Sequence, residues 1–294
     1  MKSLRSILGG LILTVGLAGA VFAHPDSGVT LYAPHIVGPI EIDGDISDWT
    51  DWYPEAAVIT TDMTYPHVCE GANCEAVADD FDWTVRMAWD DGTNRVYFSV
   101  EVFDDVWLAP EAAGERSLHG WDCLEIVSDP DNSGGEIGGT KDDDGIAGRR
   151  GQQWYFSQGA PGEGTRMEVI YGGSEALAVT WVGLPPYGDS AFTLDGNRGV
   201  YEAWVRLFDY LSENGPDDSI EHDLTADQTI GFGFLYDEID AAPGTYDAQW
   251  KTAEGTSQWG DANQVPDLLL LPPADGPTAV DPASWGNLKA GHTH

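Results

Sequence analysis

Between residues 83 and 102 the large apolar side chains fall at every second position, and this spacing constrains the fold more than any other feature of the chain. Trp83, Val85, Met87 and Trp89 alternate with Thr84, Arg86 and Ala88. After the turn sequence DDGTN, Val96, Phe98, Val100 and Val102 share one face of a second run. Successive side chains of a strand point to opposite faces, so a period of two predicts two half-buried strands, joined here as a hairpin.

The rest of the chain repeats the theme in shorter pieces. Its 36 Gly and 17 Pro are scattered throughout, and no long amphipathic helical run interrupts them. Further strands are predicted at Leu124 to Val127, Gln152 to Ser157, Arg166 to Tyr171, Ala176 to Val182, Ala191 to Leu194, Val200 to Leu207, Thr229 to Tyr236 and Leu268 to Leu271. One short helix is predicted around Phe208 to Ser212. The expected architecture is all-β, a single antiparallel β-sandwich of jelly-roll type with long loops. No fixed-period repeat and no Pro/Ser linker divides it, so residues 24–272 read as one domain. Residues 273–294, rich in Pro, Gly and Ala, read as a flexible tail.

The first 23 residues have the layout of a secretory signal. Lys2 and Arg5 precede an apolar run from Ile7 to Leu17, and Val21, Phe22 and Ala23 close it with a cleavage pattern that would leave His24 as the new N-terminus. No Cys at that junction suggests a lipid anchor. The run is shorter than the roughly 20 apolar residues a membrane span needs, and nothing later approaches that length. A secreted or periplasmic protein without membrane insertion is expected.

With 50 acidic and 13 basic residues the chain carries a formal charge of −37, and cleavage after Ala23 would remove two more positive charges. Such a field repels nucleic acid and attracts cations, so no nucleic-acid partner is expected. Cys69 and Cys74, in CEGANC, are placed to form a local disulfide in an oxidising compartment, and Cys123 is left over. No second Cys pair or nearby His cluster supports the alternative of a zinc site.

Several segments in order resemble the family 9 carbohydrate-binding modules and their wider relatives, whose β-sandwich is related to the DOMON domains. The resemblance starts at IEIDGDISDW (residues 40–49), followed by VRMAWDDGTNRVYFSVEVFDD, a hairpin ending in Asp104 and Asp105. GWDCLEIVSDPDNSGG comes next, then QQWYFS, YEAWVRLFDYL, IGFGFLYDE and SQWGDANQVPDLLLL. The resemblance covers roughly four-fifths of the chain. It implies a non-catalytic binder of carbohydrate, at the end of an oligo- or polysaccharide, held between two Trp rings.

Carried over residue by residue, the C-terminal plate falls on Trp259. The other plate's position is taken by His119, with Trp121 two residues later. Glu125 matches the family's hydroxyl-binding carboxylate, and Asp122 stands where an acidic residue opens the strand. The family's sugar-contacting Arg falls at Tyr155, with Arg149 and Arg150 shortly before it. Losing that Arg removes a charge-assisted contact and leaves a site location without a sugar specificity. Most of the 12 Trp must serve packing. Trp83, Trp89 and Trp204 read as strand-borne core residues, whereas Trp107, Trp121 and Trp259 follow loop sequence.

Calcium is the expected cation. Asp129, Asp131, Ser133 and Gly134 reproduce the first half of an EF-hand loop, but its twelfth position is Thr140 rather than a bidentate Glu. Asp142, Asp143 and Asp144 could complete a site, and related modules hold structural calcium. A solvated acidic turn is the plainer reading of the same residues.

No Gly-x-Ser-x-Gly, HExxH or phosphate-binding motif points to an enzyme. The resemblance leaves a haem-carrying electron-transfer subunit as an alternative, with Met63, Met87, Met167, His119 and Lys251 as available ligands; without CxxCH any haem would be non-covalent. A structural envelope component lacking the sugar site is a third reading. An exposed N-terminal His24 could contribute to a copper site, and His292 and His294 could hold metal weakly.

Overall fold

The computed structural model describes residues 24, 27–52, 58–69, 78–111, 118–135, 137, 149–159, 164–170, 178–255 and 258–273. The signal segment, Cys74, Asp142, Asp144 and the tail beyond Pro273 lie outside the described residues. Two β-sheets pack face to face, with strands 1 to 16 numbered along the chain.

The expected hairpin forms the centre of the smaller sheet. β4 (Phe81–Asp90) and β5 (Arg95–Asp104) pair so that Trp83 opposes Val102, Val85 opposes Val100, Met87 opposes Phe98 and Trp89 opposes Val96. Each of these eight side chains is buried in the main core. The turn closes on Asp90, whose carboxylate accepts from the backbone N–H groups of Gly92 and Thr93 and from the Thr93 hydroxyl. Asn94 adopts φ +57°, a left-handed conformation that Asn tolerates better than most residues. β2 (Val58–Thr60) flanks β4, while β11 (Arg198–Val205) and β10 (Gly188–Asp195) extend the sheet beyond β5.

The larger sheet runs β1 (Thr30–Ala33), β16 (Asp267–Leu270), β14 (Thr229–Glu238), β6 (Cys123–Asp129), β7 (Gln152–Ser157), β8 (Arg166–Ile170) and β9 (Ala178–Val179). β15 (Ala248–Lys251) also pairs with β14, and β3 (Tyr65–His67) pairs with β15. Only the β1–β16 pair is parallel among these ladders. Aromatic side chains join the two sheets: Phe98 meets Phe156 edge-on at 5.2 Å and Phe234 at 5.6 Å, and Phe81 stacks on Trp250 at 5.6 Å. Burying each such ring contributes on the order of 1.5–3 kcal/mol, so this layer supplies much of the driving force for closure.

The IDG segment covers the outer face of the smaller sheet. A short helix, α1 (Ser47–Trp52), places Trp49 over Ala88, Tyr97 and Trp204, with Ile36, Ile40, Ile42 and Ile46 around them. Glu202 of β11 holds this cover in place. Its carboxylate accepts from the Trp49 indole N–H at 2.7 Å and from the backbone N–H groups of Asp43 and Gly44 at 2.9 Å each. Gly44 is required there, because φ is +81° and a Cβ would stand 2.5 Å from Thr193 Cγ2.

Two local expectations need correction. Phe208 to Ser212 is not helical: Phe208–Tyr210 forms β12 and pairs with β13 (Ile220–Glu221). Phe208 and Leu211 are buried in the core, and a five-residue segment cannot offset helix nucleation when tertiary packing offers an extended alternative. The strand expected over residues 176–182 is confined in the described residues to Ala178–Val179, and a 3-10 turn follows at Trp181–Gly183. Cys69 is disulfide-bonded, whereas Cys123 is free and buried.

Candidate ligand face of the larger sheet

Alternation along the central strands of the larger sheet creates a second, more polar face. On β6, Leu124 and Ile126 enter the core, and Cys123, Glu125 and Val127 point the other way. On β14, Phe232, Phe234 and Tyr236 enter the core, which turns Leu235 and Asp237 outward. Two apolar clusters form on this face, Val127 with Ile137, Leu235, Ala262 and Val265, and Cys123 with Leu118 and Tyr155.

A hydrogen-bonded polar row crosses the same face. Gln153 on β7 donates through Nε2 to Glu125 Oε2 at 2.7 Å, and Gln249 on β15 donates through Nε2 to Asp237 Oδ1 at 2.7 Å. The carboxyl groups of Glu125 and Asp237 lie within hydrogen-bond reach of each other. Burial is the largest influence on both and raises both carboxyls; the Glu125 charge raises Asp237 further, while the bonds from Asp237 and Gln153 oppose the rise at Glu125. Glu125 therefore occupies the expected strand and face but is only 1% exposed, so it forms part of the floor.

Two loops stand over this floor. One is the turn Leu118–Gly120, which leads through Trp121 and Asp122 into β6. Tyr246 donates its hydroxyl to His119 O at 2.6 Å, and Gly244 N–H donates to Gly120 O at 2.8 Å. Asp122 fixes the turn from below: it accepts from Ile239 N–H at 2.9 Å and from Leu108 N–H, while burial, then the Asp104 charge, push its carboxyl up to about 9. Asp122 thus positions the turn. Trp121 is half-buried at its tip.

The second loop carries Trp259. Gln258 is fully buried against β14 at Gly233, where a Cβ would lie 2.2 Å from Gln258 Nε2 and 2.6 Å from Pro266 Cδ. Beyond it, Gly260 O accepts from Ile137 N–H at 2.9 Å and Ala262 N–H donates to Gly135 O at 2.7 Å. Trp259 is held outward between these anchors with 43% of its surface exposed. The Trp259 loop lies over Gly233 and Leu235, and the Trp121 turn meets the far end of β14 at Ile239. Glu125, opposite Leu235 in register, and Asp237 lie between these anchoring points.

Tyr155, at the position of the family's Arg, is buried with its ring 6.4 Å from that of His119. Arg149 donates through Nη2 to both carboxylate oxygens of Glu213, at 2.8 and 2.9 Å, and through Nη1 to the Tyr210 hydroxyl at 2.8 Å. Met87 and Met167 belong to the core between the sheets, and Met63 is exposed. Lys251 is buried, its ammonium donates to Glu254 O at 3.3 Å, and burial lowers it to about 8.

Asp129 is buried beside His24. Its Oδ2 accepts from Gly134 N–H at 2.7 Å and lies 3.0 Å from His24 Nε2, while His24 Nδ1 lies 3.0 Å from Asp267 Oδ1. Both ring nitrogens of His24 face carboxylates. Asp131 accepts from Ser133 N–H at 3.1 Å. Among the described residues, neither Asp129 nor Asp131 joins a group of three converging metal-ligand atoms. Such groups form instead from Asp104, Glu238 and Asp240, from Asp80, Asp105 and Asp240, and from His35, Asp90 and Asp91. Of the first two, Asp104 and Asp105 were signalled in the sequence only by the paired aspartates closing the hairpin and Glu238 by the acidic end of IGFGFLYDE, while Asp80 and Asp240 lie in neither stretch. Nothing in either stretch reveals that they meet.

No family model matches the chain, and no curated protein matches it. Among solved structures, it is similar to a family 9 carbohydrate-binding module from Caldicellulosiruptor kristjanssonii in complex with cellotriose, with a TM-score of 0.52 and 14% identity over 85% of this chain and 98% of that one. A family 9 carbohydrate-binding module from the same organism in complex with glucose gives a TM-score of 0.51 and 14% identity over 86% of this chain and 100% of that one. The chain folds as a β-sandwich of the family 9 kind.

Proposed function

From a β-sandwich built like the family 9 carbohydrate-binding modules, we propose that this chain is an exported, non-catalytic carbohydrate-binding protein that stacks a sugar ring on Trp259, with Trp121 as the second wall. The observation that carries this reading is the outward presentation of Trp259 on a loop anchored on both sides. A sugar offers an apolar face of C–H groups, and an indole ring held at the surface is a plate for it. The buried polar row beneath keeps the sheet face rigid and the two loops in register.

Non-catalytic binding is favoured by the same row. A glycosidase needs two carboxyl groups that reach opposite sides of a scissile bond, about 5–9.5 Å apart. Glu125 and Asp237 lie within hydrogen-bond reach of each other and are buried, which suits support better than proton transfer to a substrate.

Titration with glucose and cellotriose, followed by tryptophan fluorescence, tests the proposal. The wild-type emission is expected to shift saturably, and Trp259→Ala is expected to lose the shift while changing stability by no more than about 0.5 kcal/mol, as for an exposed side chain. An unchanged response in Trp259→Ala would place the sugar elsewhere. Absence of any response across soluble sugars and polysaccharides would favour an envelope component without a sugar site. N-terminal sequencing of the exported protein tests cleavage after Ala23.

A further inference from the structure

Where β4 turns into β5, the hairpin meets the segment that leaves β1. His35 lies two positions beyond β1, Asp90 ends β4, and Asp91 begins the turn. Backbone pairing fixes the approach: Trp89 N–H donates to Pro34 O at 3.0 Å and Ile36 N–H donates to Trp89 O at 2.8 Å. The His35 ring rests edge-on against the Trp89 ring, with centroids 5.0 Å apart. A ring nitrogen of His35 and one carboxylate oxygen from each of Asp90 and Asp91 lie within 4.8 Å of one another.

The His35 ring is oriented from outside this cluster. A carbonyl oxygen only accepts, so Nδ1, 3.0 Å from Ile36 O, carries a hydrogen. Nε2 faces two further acceptors, Asp91 Oδ1 at 3.1 Å and Asp90 Oδ1 at 3.7 Å. A neutral ring would aim its lone pair at both carboxylates, so a positive partner is required between them. A second ring proton serves Asp91 alone, because 3.7 Å is beyond hydrogen-bond reach. A metal ion engages both oxygens, and a backbone carbonyl on the other ring nitrogen is the usual support of a metal-binding His. Asp90 keeps Oδ1 available: its Oδ2 accepts from Thr93 N–H at 2.9 Å and from the Thr93 hydroxyl at 2.6 Å, whereas Oδ1 receives a long bond of 3.3 Å from Gly92 N–H. Among the described residues, no Lys or Arg forms an ion pair with either Asp.

We propose that His35, Asp90 and Asp91 form a zinc site that pins the segment after β1 to the hairpin turn and leaves a fourth position open to water. Zinc binds imidazole nitrogen and carboxylate oxygen at about 2.0–2.2 Å in a tetrahedron, which sets neighbouring ligand atoms roughly 3.3–3.5 Å apart. The two distances from Nε2, 3.1 and 3.7 Å, bracket that edge. An imidazole ligand separates this site from calcium and magnesium, which take oxygen throughout. The side chain of Asp91 is 62% exposed, which places the open position on the solvent side. Asp90 closes the end of β4 opposite to Phe81, the residue that pairs with Asp104, so the site is separate from the all-carboxylate groups. Nothing local in the sequence announces it, since His35 and Asp91 are 56 positions apart. The inference stands on these three residues and does not depend on sugar binding.

Calorimetric titration of the EDTA-stripped full chain with zinc chloride tests it, with excess calcium chloride present to occupy sites that accept hard cations. The wild type is expected to bind zinc under these conditions, and cobalt(II) in its place is expected to show the visible absorption of a four-coordinate ion. His35→Gln and, separately, Asp91→Asn are each expected to weaken zinc binding at least about tenfold, because even the outer partners of a metal ligand matter that much. Replacing the tail histidines, His292→Ala with His294→Ala, is expected to leave the affinity unchanged. If His35→Gln fails to fold, Asp91→Asn, at an exposed turn position, carries the test. Undiminished zinc affinity in Asp91→Asn or in folded His35→Gln overturns the assignment, and loss of binding in the tail variant would move the zinc there. A stripped wild type that binds no zinc also overturns it, and would leave His35 and Asp91 as a proton-sharing pair.

Discussion

The carboxyl groups of Glu125 and Asp237 lie within hydrogen-bond reach of each other between neighbouring strands, buried on the face of the larger sheet that the sandwich core does not use. Burial, then the Glu125 charge, hold the Asp237 carboxyl well above its ordinary value of 3.8. The unfolded chain releases this proton above that ordinary value while the folded protein retains it. This group's contribution to stability is therefore greatest at low pH and falls as pH rises through the range between the two values. Asp237→Asn reproduces the protonated group, since its amide can donate to Glu125 and its carbonyl can accept from Gln249. The substitution is expected to raise Tm at pH 8 and to leave it nearly unchanged at pH 4. Identical pH slopes for wild type and variant, measured by differential scanning fluorimetry, would remove the pair as the source.

Gly233 tests whether the Trp259 loop is positioned from β14. A methyl group there meets Gln258 Nε2 at 2.2 Å and Pro266 Cδ at 2.6 Å, so the loop must shift although Trp259 is untouched. Gly233→Ala is expected to cost about 1–3 kcal/mol and to weaken sugar-induced fluorescence change at least several-fold. Retained affinity in a destabilised variant would show that the loop's position does not govern binding.

His24 ties the start of the described chain to β6 and β16 through Asp129 and Asp267. Removing the ring leaves two buried carboxylates without this partner. His24→Ala is expected to cost about 3 kcal/mol in urea unfolding. A loss under 1 kcal/mol would mean that water replaces the imidazole without penalty.

Glu202 serves three donors beneath the IDG turn: the Trp49 indole and the backbone N–H groups of Asp43 and Gly44. Glu202→Ala leaves all three without their acceptor and is expected to cost about 3 kcal/mol. Glu202→Gln keeps the shape and an acceptor oxygen, and should recover more than half of that loss. Equal losses would shift the explanation to the charge itself.

The sequence determined the elements whose signal is local. The alternation from Trp83 to Val102 required a hairpin, because a period of two buries one face of a strand whatever surrounds it. Trp259 could be marked as a loop aromatic for a similar reason, since polar and Gly-containing sequence around it offers no periodic face to bury. Glu125 could be placed on its strand, but not its partner: Asp237 lies 112 positions later and reaches it only because β14 pairs with β6. Phe208 to Leu211 took an extended form because the sandwich core and β13 claimed it, which short-range pattern cannot anticipate. The loop sequence marks Asp129 as a calcium ligand but not its neighbour His24, and the acids that converge come from the ends of strands in different sheets. Side-chain periodicity is written residue by residue, so sequence alone decides which face is apolar. Which buried charges meet depends on strand order and sheet packing, and only the tertiary structure decided that.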